Sequence, residues 1–403
     1  MSQAERIELE PPRGIPWTAR AVLNLLARIR HGRLELRLPD GSARIVGSGD
    51  PSASIQIDDW SVFAEVLRRG DVGFGETYMA RRWHSPDVAA LLSLIAANRD
   101  AIDRAVYGGF WGGLLHRVRH LLNVNTRRGS KRNISAHYDL GNEFYRLWLD
   151  ESMSYSSAYF GAAPAGDLEA AQRAKYERVL DRLRPQPGDH ILEIGCGWGG
   201  LLEVAARDYG CRVTGLTLSQ AQYDFARERI ARLGLADRVA VEMTDYRDVR
   251  GSFDHVVSIE MYEAVGERYW PQYFGVLHER LKPGGTALIQ AITIDERYFD
   301  RYRTGTDFIQ QYIFPGGMLA SPGRIRAESE KAGLAVAHAH PFGLDYAETL
   351  RRWRQRFMAR VAEVRALGYS DSFIGMWEFY LAYCEAGFQT RCTDVYHFEF
   401  SRS

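Results

Sequence analysis

The segment from Leu192 to Gly200 carries the residue pattern with the clearest chemical meaning. Its letters, LEIGCGWGG, describe an apolar strand that runs into a glycine-rich turn. Glycine lets the backbone turn tightly and approach a ligand closely. The start of the helix expected next offers unpaired N–H groups to an anion. The segment therefore predicts a binding site for a nucleotide-like cofactor.

Two cofactor classes compete for this loop. Its glycines also satisfy the GxGxxG pattern, at Gly195, Gly197 and Gly200. Nicotinamide-binding loops expect an acidic residue about 20 positions later, where it holds the ribose hydroxyls. The second predicted strand ends instead in GLTLSQAQ, without an acid. The acids are Glu193, before the glycines, and Asp245, which Tyr246 follows after the third strand. Methyltransferases hold the methionine amino end and the adenine of S-adenosylmethionine at these positions, so the pattern favours that cofactor.

Polar residues at the tip of the second strand fit the same site. Ser219 and Gln222 have the spacing of a helix capping box, in which each side chain bonds the other residue's backbone N–H. Thr217 and Gln222 also lie where ribose and adenine are expected. A helix start and a cofactor contact are compatible, so we predict both.

The elements that must position these residues alternate between helix and strand over roughly 168–295. An amphipathic stretch, LEAAQRAKYERVLDRL, precedes the strand HILEIG, and further helices and strands follow up to a KPGG turn and the strand TALIQAITI. Alternation with short connections indicates a doubly wound, largely parallel sheet. We therefore predict an α/β, Rossmann-like methyltransferase core within a catalytic domain over 137–403, closed by an aromatic and helical C-terminal cover.

A smaller α+β domain is predicted over 1–100. Alternating runs at Leu34–Leu38 and Ser54–Ile57 predict strands separated by turn residues. The stretch WSVFAEVLRRG predicts a helix that ends at Gly70, before a glycine-rich turn.

Residues 101–136 differ in character from both domains. Between His116 and His137 there are six Arg or Lys residues and no acid. One interpretation is a solvated linker. The other is a basic, partly apolar strap that docks on anionic phospholipid headgroups.

Composition narrows the function classes. The chain has 403 residues and a formal net charge of zero, which argues against a protein built mainly to hold nucleic acid. The four cysteines form no CxxC pair and have no zinc-ligand spacing, so we expect free thiols and no metal. No apolar run reaches the roughly 18 residues needed to span a bilayer, and the polar N-terminus is unlike a signal peptide. We expect a cytoplasmic protein that contacts membranes peripherally.

Several segments in order resemble one family closely. NISAHYDLGN at 133–142 and MSYSSAYF at 153–160 look like the signature of the cyclopropane-fatty-acyl-phospholipid synthases, to which mycolic acid cyclopropane synthases and fatty-acid methyltransferases are related. GLTLSQAQ, MYEAVG and YCEAGF agree with it, and the resemblance covers essentially the whole chain. It implies transfer of a one-carbon group from S-adenosylmethionine to the double bond of an unsaturated phospholipid acyl chain, forming a cyclopropane. It also implies a tendency to form homodimers.

The resemblance implies which residues act. In the family, a bound bicarbonate removes a proton from the substrate. The bicarbonate is held by a Cys, a Glu, a His, a main-chain group and a Tyr. The matching positions here are Ser157, Glu263, Gln290, Ile292 and Tyr346. Cys384 matches a family cysteine once regarded as the active-site residue, for which a buried structural thiol is the favoured interpretation. The predicted cofactor residues are Tyr155, Ser156, Glu193, Gly195, Cys196, Gly197, Trp198, Thr217, Leu218, Ser219, Gln222, Asp245 and Tyr246.

Two of these positions depart from the family. Ser157 replaces the Cys, and Gln290 replaces the His and cannot carry a charge. Bicarbonate would then be held less tightly, or the base would be arranged differently. The carbocation left by methyl transfer would prefer an apolar aromatic pocket, and losing its proton elsewhere would give a methylene or methyl-branched chain. A non-catalytic lipid carrier and a methyltransferase for a soluble small molecule are the alternatives of other kinds.

Overall fold

The computed structural model describes residues 14–106, 140–161 and 166–402. The chain divides into two compact units, residues 1–112 and 113–403. The basic segment, apart from its first residues in a helix, lies outside the described residues, as do His137 and most of the first family motif.

The first unit contains a four-stranded sheet with helices. Its strands are β1 (Gly32–Arg37), β2 (Ala43–Ser48), β3 (Ser52–Ile57) and β4 (Trp83–His84). Its helices are α1 (Trp17–Leu26), α2 (Ser61–Met79), α3 (Val88–Ala97) and α4 (Arg99–Val106). The order is β2-β1-β3-β4, with β1 antiparallel to β2 and parallel to β3. The predicted strands correspond to β1 and β3, whereas β2 was not predicted.

The predicted helix end at Gly70 matches a break in α2 at that residue, whereas the turn predicted after it is wrong because a second helical part follows. Helix α2 is interrupted at Gly70, where φ is 59° and ψ is −133°, and then continues to Met79. Gly70 alone absorbs the break, in a conformation open to glycine. A Cβ on Gly73 would lie 2.3 Å from the carbonyl oxygen of Glu65, so this glycine serves close packing across the kink.

The second unit is built on a seven-stranded sheet. Its strands are β5 (His190–Ile194), β6 (Arg212–Leu216), β7 (Val239–Glu242), β8 (Phe253–Ile259), β9 (Leu281–Ile294), β10 (Leu334–Pro341) and β11 (Thr393–Arg402). The order is β10-β11-β9-β8-β5-β6-β7. Neighbours from β9 to β7 are parallel, and β11 is antiparallel to β9 and β10. The predicted α/β doubly wound core is confirmed.

Helices cover both faces of this sheet. They are α5 (Asn142–Arg146), α6 (Leu168–Leu183), α7 (Gly200–Asp208), α8 (Gln220–Arg232), α9 (Trp270–Arg280), α10 (Glu296–Tyr302), α11 (Phe308–Tyr312), α12 (Pro322–Lys331), α13 (Gly343–Ala359), α14 (Val361–Ala366) and α15 (Asp371–Gln389). Four of the five β5 residues are buried, as expected for a strand covered on both faces. Strand order reverses at β5, with β6 on one side and β8 on the other. Open α/β sheets bind ligands beyond the carboxyl ends of the strands at such a switch point.

Candidate active site

The glycine-rich loop lies at this switch point, between β5 and α7. The backbone N–H groups of Gly195 and Cys196 both donate to the carbonyl oxygen of Leu216, at 3.0 and 2.8 Å, which attaches the loop to the end of β6. Gly197 has a φ of +53°, and a Cβ placed on it would meet no atom within 4 Å. The loop therefore presents bare backbone to open space, as a cradle for a ligand would.

Glu193 precedes the loop on β5 and is buried. Its Oε2 has no hydrogen-bond partner among the described residues. Burial raises the pKa of this carboxyl to about 8, against the opposing charge of Lys175. A buried acceptor without a donor is costly, and the ammonium group of a methionine moiety would supply one. The loop and Glu193 thus fit S-adenosylmethionine.

The polar residues after β6 are arranged differently from the predicted capping box. Ser219 Oγ accepts the N–H of Gln222 at 3.4 Å, which makes one half of the box. The Ser219 N–H instead donates to Thr217 Oγ1 at 3.2 Å, and Thr217 Oγ1 donates to Gln222 Oε1 at 3.0 Å. The Gln222 side chain cannot return to the Ser219 N–H because Thr217 lies between them. The next residue, Leu218, is half-buried.

The remaining cofactor candidates already have protein contacts. Asp245 accepts hydrogen bonds from the backbone and guanidinium of Arg247, and burial raises the pKa of Tyr246 to about 12. Trp198 Nε1 donates to Asn142 Oδ1 at 2.8 Å, which joins the glycine loop to α5. Tyr155 shares a hydrogen bond with Tyr380 at 2.7 Å between the hydroxyl oxygens.

Three of the residues predicted to hold bicarbonate donate hydrogen bonds to a carboxylate of the protein. This carboxylate is not the predicted Glu263. Glu260, at the end of β8, is this group. Its Oε1 accepts the Ser157 N–H at 2.8 Å and Gln290 Nε2 at 2.7 Å, and its Oε2 accepts the Tyr346 hydroxyl at 2.6 Å. Sequence reasoning missed Glu260, although it directly precedes the MYEAVG segment.

Glu263 lies apart from those three donors. It belongs to a 3₁₀ turn, Tyr262–Ala264, and its Oε1 accepts the Ile292 N–H at 2.5 Å. Its Oε2 has no hydrogen-bond partner within the described ranges. Burial, and then the nearby charge of Glu260, raise the pKa of Glu263 to about 8. The predicted set is therefore divided between two carboxyl groups.

Bicarbonate does not fit this arrangement. Ser157, Gln290 and Tyr346, which would donate to a bound anion, already donate to Glu260. A further anion would also lie near two buried carboxyl groups, and like charges in a desolvated site repel strongly. The donors predicted for bicarbonate are therefore used by a carboxylate of the protein itself.

Lys175 is a second residue that sequence reasoning missed. It lies on α6 with no exposed surface, and its Nζ donates to Ser156 Oγ at 2.6 Å. Burial lowers the pKa of Lys175 to about 8, while the carboxylates of Glu260, Asp150 and Glu193 raise it. The only sequence signal was a Lys in the middle of an otherwise amphipathic helix. Its charge acts both on Glu193, beside the glycine-rich loop, and on Glu260.

Aromatic rings pack beside these carboxyl groups. Tyr155 lies 5.4 Å from the rings of Trp148 and Trp353, measured between ring centroids, and Tyr346 lies 6.2 Å from Trp353. Tyr262, close in sequence to Glu260, packs with other rings in the hydrophobic core. The surroundings of Glu260 are therefore apolar and aromatic on the Tyr346 side.

Cys384 lies on α15, and burial raises the pKa of its thiol. A thiol that stays protonated is a poor nucleophile. All four cysteines are free. No cluster of His, Cys, Asp or Glu suited to a metal ion occurs in the parts of the chain that the structure describes.

Most of the chain matches the sequence model of one protein family. Residues 125–398 match the sequence model of the family described as mycolic acid cyclopropane synthetase. The chain belongs to this family. The mycolic acid cyclopropane synthetase match spans the glycine loop, Glu260 and Tyr346, and it makes the chain a member of a family of S-adenosylmethionine-dependent methyltransferases.

Individual relatives of this mycolic acid cyclopropane synthetase family member extend the match to the first unit. Tuberculostearic acid methyltransferase UfaA1 of Mycobacterium tuberculosis is 40% identical over 97% of this chain and 93% of its own length. Cyclopropane-fatty-acyl-phospholipid synthase of Escherichia coli is 34% identical over 89% of this chain and 91% of its own. The crystal structure of mycolic acid cyclopropane synthase CmaA1 complexed with SAH and CTAB superposes with a TM-score of 0.64 at 30% identity, over 68% of this chain and 98% of that one.

Proposed function

We propose that this chain transfers the methyl carbon of S-adenosylmethionine to the double bond of an unsaturated acyl chain in a phospholipid. The observation that carries the proposal is that the charge of Lys175 acts on two carboxyl groups. One is Glu193 beside the glycine loop, whose Oε2 has no hydrogen-bond partner among the described residues, and the other is the buried Glu260 beside aromatic rings. When bound, S-adenosylmethionine supplies an electrophilic methyl group. The protein's residues orient it, exclude water and accept the proton released.

The product follows from how the carbocation loses its proton. The sequence resemblance predicts ring closure to a cyclopropane. The relative with the higher identity and coverage is named a methyltransferase, which favours an open-chain methylene or methyl-branched product. We therefore propose the open-chain product first and the cyclopropane as the second candidate.

Purified protein with S-adenosylmethionine and vesicles of a mono-unsaturated phosphatidylglycerol tests the function. We expect S-adenosylhomocysteine to form together with acyl chains that carry one added carbon. Vesicles of the saturated lipid are the control and should give no turnover, because they lack the alkene. Vinylic methylene or branched-methyl proton signals identify the open-chain product, whereas high-field ring protons identify a cyclopropane. Equal turnover on both lipids would contradict the proposal.

Cofactor binding should release protons at pH 7. Glu193, whose pKa is raised to about 8 by burial, is mostly neutral there. A cationic ammonium group lowers the pKa of a neighbouring carboxyl, so binding should ionise Glu193 and release close to one proton, roughly 0.5–1. Calorimetry in buffers of different ionisation enthalpy measures this number. Glu193→Gln should reduce it, and a binding enthalpy independent of the buffer would refute the assignment.

The partners and location are also proposals. We propose peripheral contact with anionic membranes through the basic segment 101–136, cytoplasmic location and formation of homodimers. Within the described residues, no helix combines the length and apolar character needed to cross a membrane. A lipid carrier without catalysis would bind vesicles but not S-adenosylmethionine, so calorimetry with the cofactor separates that alternative.

A further inference from the structure

The side chain of Glu260 accepts hydrogen bonds from residues that the family resemblance assigns to an external anion. Its two oxygens accept three hydrogen bonds, from the Ser157 backbone, the Gln290 amide and the Tyr346 hydroxyl. These are the groups that the family resemblance assigns to bicarbonate, apart from the pair Glu263 and Ile292. A carboxylate and bicarbonate share the same planar pair of acceptor oxygens. The Glu260 carboxylate thus accepts the hydrogen bonds that an external anion would otherwise accept.

The orientation of the Gln290 amide is set by a relay of two side chains, Arg178 on helix α6 and His397 on strand β11. Arg178 Nε lies 3.2 Å from His397 Nδ1, and His397 Nε2 lies 2.8 Å from Gln290 Oε1. Because arginine only donates, His397 must accept at Nδ1 and carry its proton at Nε2. Gln290 then accepts through Oε1 and must direct its NH₂ group toward Glu260.

His397 stays neutral in this relay. Burial, and then the charge of Arg178, lower its pKa well below the ordinary value. The relay therefore delivers a donor to Glu260 without a positive charge beside it, so the carboxylate keeps its capacity to accept a proton. The sequence did not indicate a role for His397, because its partner Gln290 lies on β9, more than a hundred residues earlier in the chain.

The backbone of Glu260 supports a functional assignment independently. Its φ is +50°, in the left-handed region that residues other than glycine adopt infrequently. Such conformations persist only when the surroundings enforce them, and they concentrate at active sites. Here the backbone N–H donates to the Gln290 carbonyl at 2.8 Å, which holds the residue in place.

The two buried carboxyl groups have different surroundings. Burial raises the pKa of Glu260 above its ordinary value, but three hydrogen-bond donors and then the charge of Lys175 oppose that rise by stabilising the ionised form. Glu263 accepts the Ile292 N–H and its own backbone N–H, and Glu260 raises its pKa further. Paired groups with contrasting environments divide into a base and a neutral acid. Glu260 is the base of this pair.

We propose that Glu260 is the general base of the reaction, replacing an external bicarbonate with a carboxylate of the protein itself. This assignment rests on the proposed one-carbon transfer. The alkene π electrons form the new C–C bond to the methyl carbon, the C–S electrons stay on sulfur, and a carbocation remains on the acyl chain. Glu260 then takes one proton from the transferred carbon. The C–H electrons close the ring or, after a hydride shift to the cationic carbon, form the methylene double bond.

Chemical rescue of Glu260→Gly tests the assignment. Glycine suits the positive φ and opens space among the three donors. We expect turnover of unsaturated phosphatidylglycerol vesicles to fall about 10²–10⁴-fold, while the affinity for S-adenosylmethionine changes less than about threefold. Formate or bicarbonate should restore turnover at least about tenfold, with saturation. Glu260→Gln, which fills the space without a charge, should be equally slow and should not respond to either anion.

The wild-type protein completes the test. In carbonate-free buffer its turnover should be unchanged, because its base is built in. Loss of wild-type turnover on removing carbonate, or full activity of both Glu260 variants, would overturn the assignment while leaving the proposed function intact. Absence of transfer by the wild-type protein to any unsaturated lipid would overturn the proposed function and this assignment with it.

Discussion

Lys175→Met should lower the free energy of unfolding by about 3–5 kcal/mol at pH 7.5. Lys175 is fully buried, and its charge acts on the carboxyl groups of Glu260, Asp150 and Glu193. Methionine has a similar shape, so packing is largely kept while the compensating charge is lost. Removing Lys175 leaves an ionised carboxylate in the site, Glu260, without its compensating charge, which is far costlier than losing a surface ion pair.

The loss should depend on pH with a definite sign. Without Lys175, the pKa values of the three carboxyl groups rise further above their unfolded values. A raised carboxyl pKa makes the folded protein less stable as pH increases, so the deficit of Lys175→Met should be smaller at pH 5.5 than at pH 7.5. The wild-type amine, whose pKa is lowered to about 8, remains mostly charged over that interval.

Arg173→Met on the same helix is the matched control. The Arg173 side chain is 45% exposed and forms ion pairs with Glu177 and Asp208, so its loss should cost less than about 1 kcal/mol. Denaturant unfolding of both variants at the two pH values measures the difference. Equal destabilisation by the two substitutions would show that the charge of Lys175 is not needed within the site.

Gly197→Val should weaken S-adenosylmethionine binding by about 100-fold or more, which corresponds to roughly 3 kcal/mol. The new side chain would project into open space at the loop, because a Cβ there has no protein neighbour within 4 Å. We propose that the cofactor approaches the backbone in that space. Calorimetric titration with the cofactor measures the affinity.

Gly234→Val is the matched control. It distinguishes the effect of filling the ligand space from the effect of straining the backbone. Gly234 has a φ of +68° and also has no atom within 4 Å of a built Cβ, but it follows the far end of α8. Both valine variants should lose similar stability, about 1–3 kcal/mol for a branched residue at positive φ. Only Gly197→Val should lose affinity. Unchanged binding by Gly197→Val would place the cofactor elsewhere.

Local patterns were enough for the core fold because they report strong local preferences. Apolar strands that alternate with amphipathic helices specify a doubly wound sheet, and the strand-to-glycine transition at Gly195 places a ligand loop. The turn predicted after Gly70 was wrong because a glycine-rich stretch predicts a turn by its backbone freedom, whereas Gly73 is required by contact with Glu65. That contact is not visible in a linear pattern.

The order of residues along the chain therefore established the family resemblance, the sheet and the glycine-rich loop. Only the tertiary structure decided which carboxylate receives Ser157, Gln290 and Tyr346. Glu260 and Glu263 lie within one short segment, and their roles depend on donors that arrive from β9, α13 and the loop before α6. Hydrogen bonds form only over about 3 Å. The packing of the surrounding elements therefore decides which of the two acids accepts the three donors. The identity of the base follows from the fold rather than from the motif.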